Sequence, residues 1–458
     1  MSSNKIPVKW GTFGLVGLGV ALGAAFGAAA QDETPGQTLG SVTLSFGIEA
    51  GTENNLTAGL GLNYDNQTRN QRLTLNGNLN FSAPYDDPTN TELNAPQVAL
   101  TYNRDNGATR INIGATYARR EVSGLVPLGD PGSSLALTDF IVDPGTRQDV
   151  GAEVALEIGQ NDPFGAVLEF NYEKTSYIDT VSPDLNDKDT RTLNLGFNLR
   201  VDATTIIRPE FSVSRSKTDN AVSLEQRIDR RGIGAEIAIT PTADLVASIG
   251  QADIVSTFDD GFGGRTELDN RQIEAGIDLS LTRPNGSLSF SYARTAEYVG
   301  VTDSLTALRN LDLADGSELG FSLGVASLPS GATTGLGSLD YQKTLRNGSY
   351  ELGLRREYVV RTDGEEAVVD RASGRFAMEL SPDSEISVAA NWSNFDLVDP
   401  ASADYKRADL TLQYNRDLTP DWGISAGATH RQSRQSGAAQ TTEDTFFVFL
   451  SRSIAISR

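Results

Sequence analysis

The sequence predicts an all-β protein: a single transmembrane antiparallel up-and-down β-barrel of about 22 strands, with roughly 18 to 22 as the range. Three observations lead to this prediction. The chain opens with an export-type segment, apolar and polar residues then alternate with period two over most of its length, and the links between the alternating runs are by turns short and long. Strands of this kind can cross a membrane only as a closed barrel.

The first thirty residues have the layout of a secretory signal peptide. Lys5 and Lys9 precede an uncharged run rich in Gly, Ala, Val and Leu, which ends in the small residues Ala28-Ala29-Ala30. A retained membrane anchor is the alternative, and it fits less well because glycines dilute the apolar run. We therefore expect a signal peptide at 1–30, a short periplasmic segment at 31–40 and the barrel at 41–458.

Alternation of period two sends successive side chains to opposite faces of a strand. In the run 72–82, Leu73, Leu75, Leu79 and Phe81 fall on one face, and Thr74, Asn76, Asn78 and Asn80 fall on the other. The runs 192–201 and 287–293 separate in the same way. Similar runs begin near Gln97, Arg110, Gly151, Ala166, Gln272, Tyr350, Arg375, Ile386 and Asp409. The pattern predicts many amphipathic strands.

The links between the strands favour a membrane barrel over a soluble sandwich. Short, turn-forming links such as 105–108, 202–204 and 283–286 alternate with longer acidic or glycine-rich links. The longer links are predicted at 83–95, 122–146, 178–188, 256–270 and 433–443. A weak strand at 305–313, joined to the next through Asp315-Gly316, makes the strand number even and puts the tight turns on one side.

The amino-acid composition argues against several classes of protein. The chain has no cysteine, which excludes disulfides and thiolate chemistry, and its net charge of −22 argues against nucleic acid as a partner. After the opening segment, no run approaches the ~20 apolar residues that a membrane helix requires. Hydrophobic residues are only 38% of the chain, so a conventional core of this size would be thinly supplied. A soluble exported β-protein remains an alternative, since each strand signal is weak by itself.

After the opening segment, the whole sequence resembles proteobacterial outer-membrane β-barrels, and porin-like ones in particular. The resemblance rests on the signal peptide, the repeated amphipathic strands and an aromatic-rich last strand, Phe446-Phe447-Val448-Phe449-Leu450. Family members commonly end on Phe or Trp, whereas this chain continues to Arg458. Two sets of aromatic residues also stand where membrane interfaces favour them, near opposite ends of the strands. They are Tyr117, Tyr172 and Tyr292 toward the long links, and Tyr102, Tyr414 and Trp422 toward the short turns.

The resemblance implies a location in the outer membrane after export through the signal peptide. It also implies three partners: membrane lipid, lipopolysaccharide and the machinery that assembles envelope barrels. It leaves homo-oligomerisation open.

Few residues suit catalysis or cofactor binding. His430 is the one histidine, and no recognisable nucleophile motif stands beside it, so we predict that the chain is not an enzyme. The acidic tracts 86–87, 184–189 and 259–261 lack the spacing of a dedicated calcium loop. We expect no cofactor and no dedicated metal site, beyond divalent cations held loosely by acidic loops.

Charged residues alternate with the apolar ones along many of the strands. If the apolar face meets lipid, these charges line the interior, because an arginine near the midplane of the lipid face costs about 2–4 kcal/mol. The fourteen predicted lumen charges are Glu153, Glu157, Glu169, Glu173, Glu236, Glu274, Asp278, Glu351, Glu379, Arg110, Arg200, Arg355, Arg371 and Arg375. A lumen of mixed charge must be hydrated or crossed by ion pairs, which favours a water-filled pore whose charges set its selectivity.

The link 122–146 is the longest and is unusually apolar for an exposed loop. Its apolar residues include Leu125, Leu128, Leu137, Phe140 and Ile141. In porins the corresponding third long loop folds into the barrel, so the resemblance implies a constriction here. Packing against another subunit or a partner protein is the alternative.

These features predict a porin-like channel for passive diffusion of small hydrophilic solutes or ions. The alternative is an occluded structural or interaction barrel that presents acidic extracellular loops. A third class, the TonB-dependent importers, carries a globular plug before the barrel. The first predicted strand, 41–49, begins ten residues after Gln31, so we expect no room for such a plug.

Overall fold

The structure is a computed structural model. It describes residues 38–51, 54–86, 91–121, 145–179, 186–219, 223–259, 264–360, 366–398, 404–437 and 440–457. The predicted signal peptide, the segment 31–37 and residues 122–144 of the longest predicted link lie outside this part of the chain. Within the described ranges, no helix is long and apolar enough to cross a membrane.

The described residues form twenty-two antiparallel strands. They are β1 (Thr38–Ala50), β2 (Asn54–Gln67), β3 (Gln71–Pro84), β4 (Glu92–Asp105), β5 (Thr109–Glu121), β6 (Thr146–Ile158), β7 (Phe164–Ile178), β8 (Asp187–Arg200), β9 (Thr205–Asp219), β10 (Leu224–Thr240), β11 (Ala243–Asp259), β12 (Arg265–Arg283), β13 (Gly286–Glu297), β14 (Gly300–Asp312), β15 (Ser317–Ser327), β16 (Thr333–Leu345), β17 (Gly348–Val360), β18 (Glu366–Ser381), β19 (Ser384–Leu397), β20 (Tyr405–Asp417), β21 (Trp422–Gln435) and β22 (Thr441–Ser457). Each strand pairs with its neighbours in the sequence, and β1 pairs with β22. The predicted all-β, up-and-down barrel of about 22 strands is confirmed, as is the weak strand at 305–313, which belongs to β14.

The pairing of β1 with β22 closes the barrel. Phe46 lies opposite Leu450, Leu44 opposite Arg452 and Val42 opposite Ile454. The residues after the aromatic run, 451–457, are therefore the second half of the last strand. Closure leaves neither terminal strand with an unpaired edge, which a backbone surrounded by lipid requires.

The outer surface of the barrel is apolar. Large side chains that point outward are exposed to an extent that water would not tolerate, among them Leu323 (71%), Ile249 (60%) and Ile273 (60%). Their neighbours on the opposite face, such as Ser248 and Gly276, are small or polar. An apolar outside around a polar inside is the reverse of a soluble fold, and it places the barrel in a membrane.

Tight turns at one end of the barrel are held by carboxylates. In the turn between β8 and β9, the Asp202 carboxylate accepts hydrogen bonds from the backbone N–H of Thr204 (2.7 Å) and from its hydroxyl (2.8 Å). In the turn between β14 and β15, Asp315 accepts from the backbone N–H of Ser317 (3.1 Å). These bonds lower the pKa of the Asp202 carboxyl; for Asp315 the ammonium of Lys343 lowers it most, followed by the Ser317 bonds. With these lowered pKa values, both carboxylates stay ionised, and keep accepting the turn hydrogen bonds, to a lower pH than a free aspartate would.

Several strands are longer than the sequence pattern predicts. The residues 256–270 were expected to form a long link, but β11 continues to Asp259 and β12 begins at Arg265, with Phe258 opposite Thr266. That prediction was wrong because both faces of a strand meet water above the lipid, so the alternation ends while the backbone ladder continues. The links predicted at 178–188 and 433–443 are shortened in the same way.

We expect the two faces of one strand to respond oppositely to a new charge. Leu412 points outward in the middle of β20 and is 46% exposed, whereas its neighbour Gln413 points into the barrel. Leu412→Arg should lower the free energy of unfolding in phospholipid vesicles by about 2–4 kcal/mol. Gln413→Arg is the matched control and should lower it by less than about 1 kcal/mol. Equal losses in a chemical denaturation series would contradict the assignment of the faces.

Candidate functional site

The interior wall of the barrel is the candidate site. All fourteen charges predicted for the lumen alternate with residues of the lipid-facing set and therefore lie on the inner face of their strands. Glu153, for instance, precedes Val154, which is 42% exposed on the outside. A role for these charges in selecting solutes stays a prediction.

Ion pairs join five of these fourteen charges to side chains on other strands within the described ranges. Arg110 of β5 and Glu157 of β6 are 3.5 Å apart, and they are the one pair formed between two of the fourteen within the described ranges. Arg371 pairs with Glu357 at 2.9 Å. Glu351 lies directly opposite Arg375 in the ladder of β17 and β18. The wall is thus a network of opposite charges, which must be hydrated where it is not paired.

Several partners in this network were not predicted from the sequence. Arg208 pairs with Glu236, and Arg230 pairs with Glu274 at 3.2 Å. Arg230 and Arg231 are consecutive, so one must point inward and the other outward, and alternation by itself could not decide which. The ladders decide it, because Arg230 lies opposite Ser212 and Arg231 lies opposite the outward-facing Phe211.

A second group of charges lies high on the wall of β20, β21 and β22. The guanidinium of Arg407 donates to Asp409 (2.7 Å), and Arg431 bridges Asp409 (3.2 Å) and Glu443 (3.0 Å). The side chain of Arg407 is almost fully buried, whereas Arg431 and Glu443 are partly exposed. Burial removes water from the Arg407–Asp409 pair, and this desolvation cost offsets much of the attraction between the two charges. The pair therefore fixes side-chain geometry more than it stabilises the fold.

The tip of the hairpin of β13 and β14 leaves the wall and bends into the lumen. Pairing between β12 and β13 ends at Ala275 and Arg294, yet β13 and β14 stay paired up to Glu297 and Gly300. A two-residue turn, Tyr298-Val299, closes the hairpin on the side where the other links are mostly longer. We call residues 295–302 the inner hairpin.

Apolar packing fixes the inner hairpin against the wall. Ala296 is completely buried, and it packs on Ala252 and Ile254, which are also buried. Both belong to β11, and Ala252 lies in the same ladder row as the inward-facing Arg230 and Gln272. The hairpin therefore crosses the inner face of β12 to reach β11.

Two charged side chains from the wall clamp the backbone of Ala296. Arg230 of β10 donates from Nη2 to the carbonyl oxygen of Ala296 (3.1 Å), and the N–H of Ala296 donates to Oε1 of Glu274 (3.1 Å). Arg230 also donates from Nε to the same Glu274 oxygen (3.2 Å). A buried backbone unit thus has both its donor and its acceptor satisfied by charged groups, which form the stronger kind of hydrogen bond.

The neighbouring turn is held on the opposite side. The backbone N–H of Ser330, between β15 and β16, donates to Oε1 of Glu366 in β18 (3.2 Å). Gly300 has a φ of 143° and lies so close to Pro329 that a Cβ atom would stand 2.9 Å from its ring, so only glycine fits there. Pairing between β16 and β17 ends at Gly337 and Arg356. The upper ends of β13 to β16 are thus separated from the wall on both sides.

The segment predicted to constrict the lumen and the segment that bends into it are different. Leu125, Leu128, Leu137, Phe140 and Ile141, expected to narrow the lumen, lie outside the described residues, so that hypothesis is untested. The inner hairpin was not predicted, because a two-residue turn between two ordinary strands gives no local signal that the pair will bend inward.

His430 lies away from the lumen. Nδ1 of His430 is 2.6 Å from Oδ1 of Asp444, and both side chains alternate outward with the lipid-facing residues of β21 and β22. In the described part of the chain, no three His, Asp or Glu side chains come together as metal ligands.

These features define the class of protein: an outer-membrane β-barrel with a charged lumen. Solved structures with a similar fold agree with this class. The FrpB iron transporter of Neisseria meningitidis is similar with a TM-score of 0.59 and 9% identity, over 91% of this chain and 83% of that one. The ferric-catecholate import receptor Fiu of E. coli, in its open form, is similar with a TM-score of 0.58 and 11% identity, over 92% and 82%. The siderophore receptor PirA of Acinetobacter baumannii gives 0.56 and 8%, over 92% and 81%.

No protein-family model and no curated protein matches this sequence. The structural similarity shows that the fold is shared. At identities this low it says nothing about the activity of this chain. The expected outer-membrane location is confirmed, whereas the expected likeness to porins is not what these structures support, since they are an iron transporter and import receptors.

The clamp on Ala296 predicts how firmly the inner hairpin is held. Arg230→Ala removes two hydrogen bonds from a charged donor, worth about 1.5–3 kcal/mol each. Amide hydrogen exchange in residues 295–299 should then speed up at least about tenfold. Arg356→Ala, which breaks an ion pair with Asp370 (3.0 Å) on the outer face, is the control and should leave these amides unchanged. The clamp has no such role if both variants exchange at the wild-type rate.

Proposed function

We propose that this protein is a solute-transport barrel of the outer membrane in which the inner hairpin limits passage along a hydrated, charged lumen. The observation that carries the proposal is the clamp of Arg230 and Glu274 on Ala296, because it holds a chain segment across the inner wall. The width of the barrel supports it. Barrels of sixteen or more strands leave an aqueous channel unless something fills it, and this one has twenty-two.

The proposal differs from a permanently open pore for passive diffusion. A segment held by a few hydrogen bonds and by the packing of Ala296 on Ala252 and Ile254 can move without disturbing the strand ladder, so passage depends on the position of the hairpin. A mixed-charge wall accommodates a hydrophilic solute or an ion with its water.

A second candidate is uptake of a bulky metal chelate. The similarity of the barrel to the iron transporter and siderophore receptors favours it, since it extends over more than 80% of those chains. Calorimetric titration of the refolded barrel with a ferric catecholate should then give saturable binding, and the iron-free catecholate is the matched control.

Single-channel conductance in a planar bilayer tests the leading proposal. The double variant Arg230→Ala/Glu274→Gln should release the inner hairpin and raise the conductance at least twofold over wild type. Arg356→Ala/Asp370→Asn removes an ion pair of the same kind from the outer face and should leave the conductance unchanged. Because the chain has no cysteine, Ala252→Cys/Ala296→Cys forms a unique disulfide that should hold the conductance low until a reductant is added.

Two results would contradict the proposal, and each points to a different alternative. A large conductance that is equal in wild type and in the released variant indicates a permanently open, porin-like pore. Barrels that insert but never conduct in any variant indicate an occluded structural or interaction barrel.

A further inference from the structure

The inner wall is divided into a charged part and an uncharged part. Charges crowd the inner faces of β6 to β12, as described above. The inner faces of β22, β1, β2, β3 and β4 carry no charged side chain over their middle rows. Their side chains there include Thr43, Ser45, Asn63, Asn76, Asn78, Asn80, Gln97, Phe447, Phe449 and Ser451, together with glycines. We call this contiguous surface the neutral strip.

Four amide side chains stand together in the lower half of the neutral strip. Asn63 of β2 lies directly opposite Asn76 of β3, and Asn78 of β3 lies directly opposite Gln97 of β4. Together with residues such as Thr43, Gly61, Ala99 and Thr116, they line a hollow of about 500 Å³. Gly61 lies opposite Asn78, and the missing side chain gives the hollow its depth.

These amides are exposed and unpaired. Among the described residues, none of the four amide groups has a hydrogen-bond partner on another side chain, and all four are solvent-exposed. On the charged side, by contrast, Asn194 donates to Glu169 (3.3 Å), and Arg208 and Arg230 form ion pairs with Glu236 and Glu274. Each amide offers two N–H donors and a carbonyl acceptor, so the cluster presents alternating donors and acceptors with no net charge.

Two aromatic rings face the lumen in the upper half of the same strip. Phe447 and Phe449 of β22 point inward, opposite Gly427 of β21 and Gly47 of β1. Their centroids are 5.4 Å apart, and each ring lies directly over its glycine, where a Cβ atom would overlap it. Ring against glycine stabilises the strand pair. It also leaves the other faces of two phenylalanines turned toward a hydrated lumen, in an otherwise polar wall.

We infer that the neutral strip is a binding surface for an uncharged, hydroxyl-rich ligand, a neutral oligosaccharide. Sugar hydroxyls are both donors and acceptors, which matches unpaired amides, and the C–H face of a pyranose ring packs on an aromatic face. A strip without charge gives a charged ligand no counter-ion. The inference rests on the proposed transport function and names a substrate class for it.

Binding is measured apart from transport. The complete refolded barrel in detergent is titrated calorimetrically with a linear glucose hexamer and with a galacturonic acid hexamer of equal length. We expect saturable binding of the neutral hexamer and at least tenfold weaker binding of the charged one. Asn78→Ala/Gln97→Ala removes two exposed amides that no contact of the fold uses, and it should weaken binding at least tenfold.

Two further variants keep the test decisive. Asn194→Ala/Asn198→Ala makes the same chemical change on the charged side and should leave the affinity unchanged. Phe449→Leu keeps an apolar side chain over Gly47 but removes the ring face, and it should weaken binding while heat-modified migration on a gel shows a folded barrel.

The inference is overturned if wild type does not bind the neutral hexamer, if it binds both hexamers equally, or if the two double-alanine variants lose affinity equally. These results are independent of conductance. If the barrel conducts but does not bind the hexamer, the transport function stands and the oligosaccharide assignment is rejected. If it binds the hexamer but does not conduct, the binding surface stands and the transport function is rejected.

Discussion

The structure depends on the closure of β1 onto β22. A backbone in hydrocarbon has no water to satisfy its amides, and an unclosed sheet would leave a row of unpaired donors and acceptors at each edge. The pairing of Val42 with Ile454 and of Phe46 with Leu450 removes both edges. Once the ring is closed at twenty-two strands, the apolar face has to be outside and the polar face has to be inside.

Closure at this width creates a space that the wall itself does not fill. The chain uses one of its own hairpins there. The strands β13 to β16 give up their upper contacts with β12 and β17, and the inner hairpin gains buried contacts with Ala252 and Ile254 instead. Lost ladder bonds leave orphaned backbone groups, and Arg230 and Glu274 satisfy those of Ala296. The same charges that make the lumen hydrophilic therefore also hold the segment that narrows it.

The lumen is also uneven around its circumference. On one side several carboxylates and guanidiniums pair across strands, which orders their side chains. On the other side the amides of Asn63, Asn76, Asn78 and Gln97 are unpaired, and Phe447 and Phe449 cover glycines. A solute that moves along such a wall meets two chemistries, and the uncharged one offers direct contacts without an ion pair to break.

The sequence by itself determined most of the strands and their faces, because alternation is a local property of each strand, and it predicted a number of about 22. The alternation within β3 by itself puts Leu73 and Leu75 on one face and Asn76 and Asn78 on the other. It also puts the fourteen charges on the inner faces of their strands. Only the tertiary structure decided which charges meet. Arg230 of β10 reaches Glu274 of β12 because the strand register turns Arg230, and not Arg231, inward, and the sequence of either strand does not give that register. The tertiary structure alone placed Ala296 on β11, because a hairpin bends inward through contacts with strands that the local pattern of β13 and β14 does not encode.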